Sequence, residues 1–228
     1  MIISGMDLYS NITKYIDHSI LKPQLTYKDI EEECQLATKY KFASVCINPA
    51  FVKFAFERVK NSPVKVCSVV GFPLGLNKIE IKVKEALKAI EDGAKELDIV
   101  WNITAFKSKD YDYIERELKE ITSQTEGVVR KVIIETGFLT DEEKILAVKI
   151  LVDYGVEFVK TSTGFNTSGA TINDINVLKE ASQGKIKIKA SGGIRDLETF
   201  MNMISSGAER IGTSSSLNII NEYLSKNL

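Results

Sequence analysis

The sequence predicts an α/β protein of one domain, residues 1–228, folded as a closed (β/α)8 TIM barrel. Three observations carry that expectation. Short apolar, β-branched runs recur eight times along the chain. Amphipathic stretches of helical length lie between them, the alternation required by a parallel sheet covered with helices. The Gly-x-Gly-x-x-Gly turn that an open doubly wound sheet sets after its first strand is missing. Eight strand–helix units in 228 residues fall near the lower end of the barrel range of roughly 200 to 400 residues. No linker, low-complexity run or charge block divides the chain.

The first expected strand is YIDHSI (15–20), followed by the helical stretch YKDIEEECQLATKYK (27–41) and the strand SVCIN (44–48). VKVCSVVGF (64–72) precedes the helix NKIEIKVKEALKAIEDG (77–93), and KELDIVWN (95–102) precedes YDYIERELKEITSQ (111–124). RKVIIET (130–136) leads to DEEKILAVKILVDYG (141–155), then to the strand EFVKTS (157–162). KIKIKAS (185–191), the helix DLETFMNMISSG (196–207) and ERIGT (209–213) complete the series. Apolar residues in the helical stretches recur on one face, as at Ile30, Cys34 and Ala37, or Ile145, Val148 and Val152. Asp141 and Asp196 stand where N-caps are expected, and Gly93, Gly155 and Gly207 where helices end.

Composition narrows the partners. The 30 basic residues nearly balance the 31 acidic ones, so no general field draws nucleic acid or an anionic membrane, and an anionic ligand needs a local site. Cys34, Cys46 and Cys67 lack metal-type spacing, and an odd count suits a reducing compartment. MIISGMDLYS has no secretory pattern, and no run reaches the roughly 18 apolar residues of a membrane span. A soluble cytoplasmic protein without bound metal is expected.

A barrel carries its chemistry at the C-terminal ends of its strands. Those positions read Asp17, Cys46, Asp98, Asn102, Glu135, Thr136, Lys160 and Lys189. Lys160 and Lys189 are set in apolar strands next to one another in order, and Asp98 is embedded in ELDIVWN. A free lysine titrates near about 10.4, so an amine nucleophile at neutral pH needs its ammonium destabilised by roughly 4 kcal/mol. A second ammonium about 4 Å away, at an effective dielectric of about 20, supplies about 4 kcal/mol. Lys189 would thereby make Lys160 a Schiff-base amine, with Asp98 moving protons through water. The alternative is that both lysines pair with carboxylates or reach solvent. Lys185 and Lys187 share the parity of Lys189; for Lys187 a structural ion pair is expected.

Two segments add a ligand class. SGGIRD (191–196) follows the seventh strand and GTSSS (212–216) the eighth. Glycines admit an oxyanion close to the backbone, serines donate, and barrels commonly hold phosphate at these loops. A phosphorylated small molecule is expected.

Taken in order, YIDHSILKP (15–23), VCINPAF (45–51), VVGFPLG (69–75), GAKELDIVWNITAFKSKD (93–110), KVIIETGFLT (131–140), VKTSTGF (159–165), KASGGIRD (189–196) and RIGTSS (210–215) span nearly the whole chain. On these motifs the chain resembles the deoxyribose-phosphate aldolases, class I (Schiff-base) enzymes of deoxyribonucleoside breakdown. The resemblance implies reversible cleavage of 2-deoxy-D-ribose 5-phosphate to acetaldehyde and D-glyceraldehyde 3-phosphate, without metal or dissociable cofactor, in a homodimer or homotetramer. It implies Lys160 as nucleophile, Lys189 as the neighbour that tunes it, and Asp98 as proton donor and acceptor. Asp17 would support the relay or bind a substrate hydroxyl. Gly164, Gly193, Ser214 and Ser215 would hold the phosphate, with Thr163 and Gly192 as further contacts. Two departures stand out. Phe165 occupies a position where some members carry a phosphate-binding lysine, and the chain ends in NEYLSKNL where some members have a tail ending in a catalytic tyrosine. Tyr223 is expected on the last helix, without that role. Competing readings are a transaldolase-like barrel lyase and a non-catalytic sugar-phosphate sensor, which would lack one of Lys160, Lys189 or Asp98.

Other residues are read as structural. The single His18 is expected to be packed and hydrogen-bonded, Cys46 to be an inert core thiol near the pocket mouth, and Trp101 and Phe72 to pack. Glu135 is expected to balance a lysine. The acidic face at 31–33 is expected to be solvated.

Overall fold

The computed structural model describes residues 12–166 and 168–226. Its strands are β1 (Ile16–Ile20), β2 (Ser44–Ile47), β3 (Lys65–Val70), β4 (Glu96–Val100), β5 (Val129–Ile133), β6 (Phe158–Lys160), β7 (Lys187–Ser191) and β8 (Arg210–Thr213). They close into one barrel in sequence order. All neighbours are parallel, and the seam is β1 on β8, with His18 opposite Thr213. Seven of the expected runs therefore contain a strand, β5 begins one residue before the fifth run, at Val129, and the expected (β/α)8 fold is the observed one.

The helices are α1 (Tyr27–Tyr40), α2 (Val52–Val59), α3 (Ile79–Glu91), α4 (Ile103–Lys107), α5 (Tyr111–Gln124), α6 (Asp141–Asp153), α7 (Ile172–Ser182), α8 (Leu197–Ser206) and α9 (Ser216–Lys226). Asp196 caps α8 through the Thr199 amide, as expected, but Asp141 is not a cap. Thr140 caps α6 in a reciprocal box with Glu143, because its hydroxyl reaches the N3 amide from extended backbone. Asp141 instead binds Lys144 from inside the first turn. Tyr223 lies on α9, as expected. No helix among the described residues is long and apolar enough to cross a membrane.

Strand parity separates two interiors. Val45, Val66, Leu97, Ile99, Val132, Val159, Ile188 and Ile211 face outward and pack under the helices in the main apolar core. Trp101 joins them, stacked 4.4 Å from Phe106, with its indole N–H donating to the Ile134 carbonyl. The inward parity carries Asp17, Ser44, Cys67, Glu96, Asp98, Lys131, Lys189 and Arg210, so the barrel axis is a layer of charge rather than of aliphatic side chains. Such a layer repays its desolvation only if every charge is paired. A smaller apolar patch, Leu21, Cys46, Cys67 and Val69 beneath Phe72, fills the β2–β3 side. Lys187 departs from its expected ion pair. It sits at the open start of β7, where its ammonium lies over the Phe158 ring, 5.6 Å from the centroid.

Candidate active site

Lys160 is the last residue of β6, and the register sets Lys189 directly opposite it on β7. Lys189 is thus in mid-strand rather than at a strand end, because the staggered register brings the middle of β7 level with the end of β6. Asp98 is likewise at the centre of β4, opposite Lys131 of β5. Its Oδ2 accepts from Lys160 Nζ at 2.6 Å and from Lys189 Nζ at 2.6 Å. Its Oδ1 accepts from Lys131 Nζ at 3.0 Å and from the Cys67 thiol at 3.1 Å. The expected trio converges, but with a carboxylate between the two ammonium groups rather than ammonium against ammonium.

Asp17 and Glu96 complete the layer. Lys189 Nζ lies 2.6 Å from Asp17 Oδ2, and Asp17 Oδ1 accepts from Ser44 Oγ at 2.6 Å and from the Arg210 guanidinium. Glu96 binds Lys131 at 2.6 Å and Arg210 at 2.8 Å. Burial opposes charge at Asp98, yet Lys131, Lys160 and Lys189 outweigh it and hold its carboxyl well below the usual range. Asp17 is depressed in the same way, against burial, by Lys189, Arg210 and Lys131. Burial likewise disfavours the Lys189 ammonium, but Asp17 and Asp98 win and raise it above an ordinary lysine. The ligand atoms of Cys46, Cys67 and Asp98 lie within 4.8 Å of one another. Three ammonium groups already surround that carboxylate, so the set suits cations on side chains rather than a metal ion.

Above this layer opens a cavity of about 340 Å³, with Lys160 in its wall. Thr163 and Gly164 come to it from the loop after β6, Gly192 and Gly193 from the loop after β7, and Ser214 and Ser215 from the loop after β8. The three loops are stitched together. Ser191 Oγ donates to the Ser162 carbonyl at 2.5 Å, and Thr213 Oγ1 to the Ile194 carbonyl at 2.6 Å. A Cβ on Gly192 would lie 2.8 Å from Gly169 Cα, with φ at +87°, so close backbone packing demands glycine there.

A family model described as DeoC/LacD family aldolase matches residues 11–221. The chain belongs to the DeoC/LacD aldolase family. The deoxyribose-phosphate aldolase of Aquifex aeolicus is 51% identical over 218 residues, 96% of this chain and 99% of that one. A solved aldolase, QR15, shares 51% identity with a TM-score of 0.92, covering 95% of this chain and 97% of that one. The tetrameric deoxyribose phosphate aldolase of Aeropyrum pernix shares 30% identity with a TM-score of 0.87, covering 98% of this chain and all of that one (100%).

Several expectations need correction in this aldolase. Asp17 is fully buried beneath Lys189 and is absent from the cavity wall; its oxygens are taken by Ser44, Arg210 and Lys189, which leaves no room for a substrate hydroxyl. Glu135 balances no lysine among the described residues. It stands at φ 55° and accepts from the Thr163 hydroxyl at 2.7 Å, the Thr163 amide and Asn166 Nδ2 at 2.8 Å, so it shapes the loop after β6. Cys46 is not near the mouth: it is fully buried, with its Sγ 3.6 Å from Asp98. Glu33 is only half-buried, as a partly solvated face requires, but one of its oxygens also binds His18 at 2.7 Å. Phe72 packs edge-on against Phe165 at the rim, ring centroids 5.1 Å apart.

The sequence reading missed Lys131, Glu96 and Arg210 in the charged layer and Lys22 and Arg195 on the cavity wall. Parity was the available signal for the first three. Glu96 lies two residues before Asp98, and Lys131 and Arg210 pair across the ladder with Asp98 and Lys189.

Proposed function

We propose that this aldolase cleaves 2-deoxy-D-ribose 5-phosphate reversibly to acetaldehyde and D-glyceraldehyde 3-phosphate through a Schiff base on Lys160. The observation that carries this reading is the position of Lys160 in the charged layer. It has one carboxylate partner, Asp98, whereas Lys189 has two and Lys131 three. Of these three ammonium groups it also is the one on the cavity wall. Four cations meet three carboxylates in the layer, which leaves one surplus positive charge, and of the three lysines Lys160 has the fewest carboxylates facing it.

The neutral amine adds to the C1 aldehyde of the open-chain sugar, and loss of water leaves an iminium ion. Removal of the C3 hydroxyl proton then breaks the C2–C3 bond. The electron pair moves into the iminium to give an enamine, and glyceraldehyde 3-phosphate departs. A proton delivered to the enamine carbon regenerates the iminium, and water releases acetaldehyde and Lys160. Asp98 and Lys189 supply and take the protons through water, because their shared hydrogen bond reaches Lys160. Asp17 holds Lys189 in place for that relay. The phosphate rests on Gly164, Gly192, Gly193, Ser214 and Ser215, with Thr163 shaping the loop and with charge from Lys22 and Arg195 in the same wall. Phe165 adds no charge there. The relatives named deoxyribose-phosphate aldolase over nearly the full length support the substrate, and the tetrameric relative supports a homo-oligomer.

Borohydride reduction with acetaldehyde, followed by peptide mass mapping, tests the mechanism. An ethyl adduct on Lys160, and a Lys160→Leu variant more than about a thousandfold less active, are expected. An adduct elsewhere, or none, overturns it.

A further inference from the structure

His18 belongs to the outward parity of β1, turned away from Asp17 and the cavity. It is 2% exposed and lies between helices, with its ring centroid 5.6 Å from Phe42. Its Nε2 is 2.7 Å from Glu33 Oε2 on α1, and its Nδ1 is 2.9 Å from Ser216 Oγ on α9. The hydrogen bond from His18 holds the half-buried Glu33 carboxyl below its ordinary range. With Glu33 accepting at Nε2–H, the tautomer so assigned presents Nδ1 as an acceptor. Ser216 Oγ–H therefore donates to it, at a shorter distance than the 3.4 Å to its alternative acceptor, the Thr213 carbonyl. An acid–histidine–serine chain thus ends on a fully buried serine that no substrate reaches.

The position of that serine gives the chain its use. Ser216 is the first residue of α9, directly after Ser214 and Ser215 on the cavity wall. The near end of the same loop is fixed by Thr213, whose Oγ1 donates to the Ile194 carbonyl and accepts from the Ser215 amide at 2.9 Å. We propose that His18 is a positioning residue of the anion-binding loop: through Ser216 it clamps the far end of residues 212–216, so that this loop meets the substrate phosphate already ordered. A loop released from His18 must be ordered by the ligand, and that cost falls on binding of the phosphate. The chemistry at Lys160 on β6 is untouched. This inference rests on the phosphorylated substrate proposed above.

The test compares 2-deoxyribose 5-phosphate with 2-deoxyribose for Ser216→Ala and His18→Gln. Loss of one buried hydrogen bond is expected to raise KM for the phosphorylated sugar about fivefold to tenfold, with kcat within about twofold. The kcat/KM for unphosphorylated 2-deoxyribose stays within about twofold of the unaltered enzyme, since neither contact touches Lys160. Equal losses on both sugars, a loss in kcat alone, or no change in either variant overturns the proposal. If His18→Gln does not fold, Ser216→Ala reads the same contact from its other partner. An unaltered enzyme that cleaves neither sugar removes the aldolase reading rather than this one. Calorimetry with inorganic phosphate then decides: weaker binding by Ser216→Ala supports the clamp, and equal affinity or no binding to the unaltered protein overturns it.

Discussion

Lys160 shares the carboxylate of Asp98 with two other ammonium groups, Lys131 and Lys189, and the sign of each neighbour's effect on it follows from that neighbour's charge. Removing Lys189 deletes a cation that shares Asp98 Oδ2 with Lys160. Lys189→Leu is therefore expected to move the pH optimum for cleavage upward and to lower the rate at neutral pH by about a hundredfold or more. Asp98→Asn deletes the anion and has the opposite sign: the optimum moves downward, while kcat falls because the proton relay is cut. Steady-state pH–rate profiles of the two variants check both, and shifts in the same direction would refute this account. A lysine in an apolar strand is visible in EFVKTS, but its number of carboxylate partners is not. Asp98 and Asp17 come from strands 62 and 143 positions earlier in the chain.

Helices α3 and α5 enclose a second buried pair that acts on the backbone. Lys82 Nζ binds Glu117 Oε1 at 2.6 Å and the Val100 carbonyl at 2.8 Å, while Glu117 Oε2 accepts from the Asn102 amide at 2.9 Å. The pair thus ties the end of β4, just beyond Asp98, to two helices. Burial lowers Lys82 and raises Glu117 against their mutual attraction, the mark of a pair whose desolvation is only partly repaid. Glu117→Ala leaves a buried unpaired ammonium and is expected to cost about 3 to 5 kcal/mol in urea unfolding, whereas Lys82→Met with Glu117→Leu recovers most of it. A double variant no better than Glu117→Ala would show that the ion pair itself, rather than its unpaired remainder, sets the stability. From sequence these residues read as ordinary charged positions on amphipathic helices. The helices α2 and α4, of eight and five residues, were equally hidden, because such short stretches carry too few repeats to show a period.

At the scale of the molecule the charged layer links stability to pH at both ends. The carboxyls of Asp17 and Asp98 are depressed in the folded state, so their contribution is complete above the unfolded carboxyl range near 3.8 and is lost as pH falls through the folded values. Lys131 and Lys189 are raised, against burial, so their contribution is complete below the unfolded lysine value of 10.5 and is lost as pH rises through the folded ones. A urea-midpoint series should therefore be flat with respect to these four groups from about pH 5 to 9, falling in acid and in strong alkali as they titrate. An Asp98→Asn variant should show a shallower acid limb. An acid limb unchanged by that substitution would place the titrating carboxyls elsewhere.

The sequence alone determined the barrel, its strand order, and the loops 191–196 and 212–216 as neighbours, since alternation of strands and helices leaves few ways to close a parallel sheet. It also brought Lys160, Lys189 and Asp98 to one place, because polar residues inside apolar strands must meet one another. Only the tertiary structure decided which charge touches which. Register set Lys189 level with Lys160, placed Asp98 between them, and withdrew Asp17 beneath. It turned His18 outward to bind both Glu33 and Ser216, the latter 198 residues further along the chain. Periodicity is local and survives in the sequence, whereas pairing energies at a few ångströms depend on closure of the barrel and exist only once it has formed.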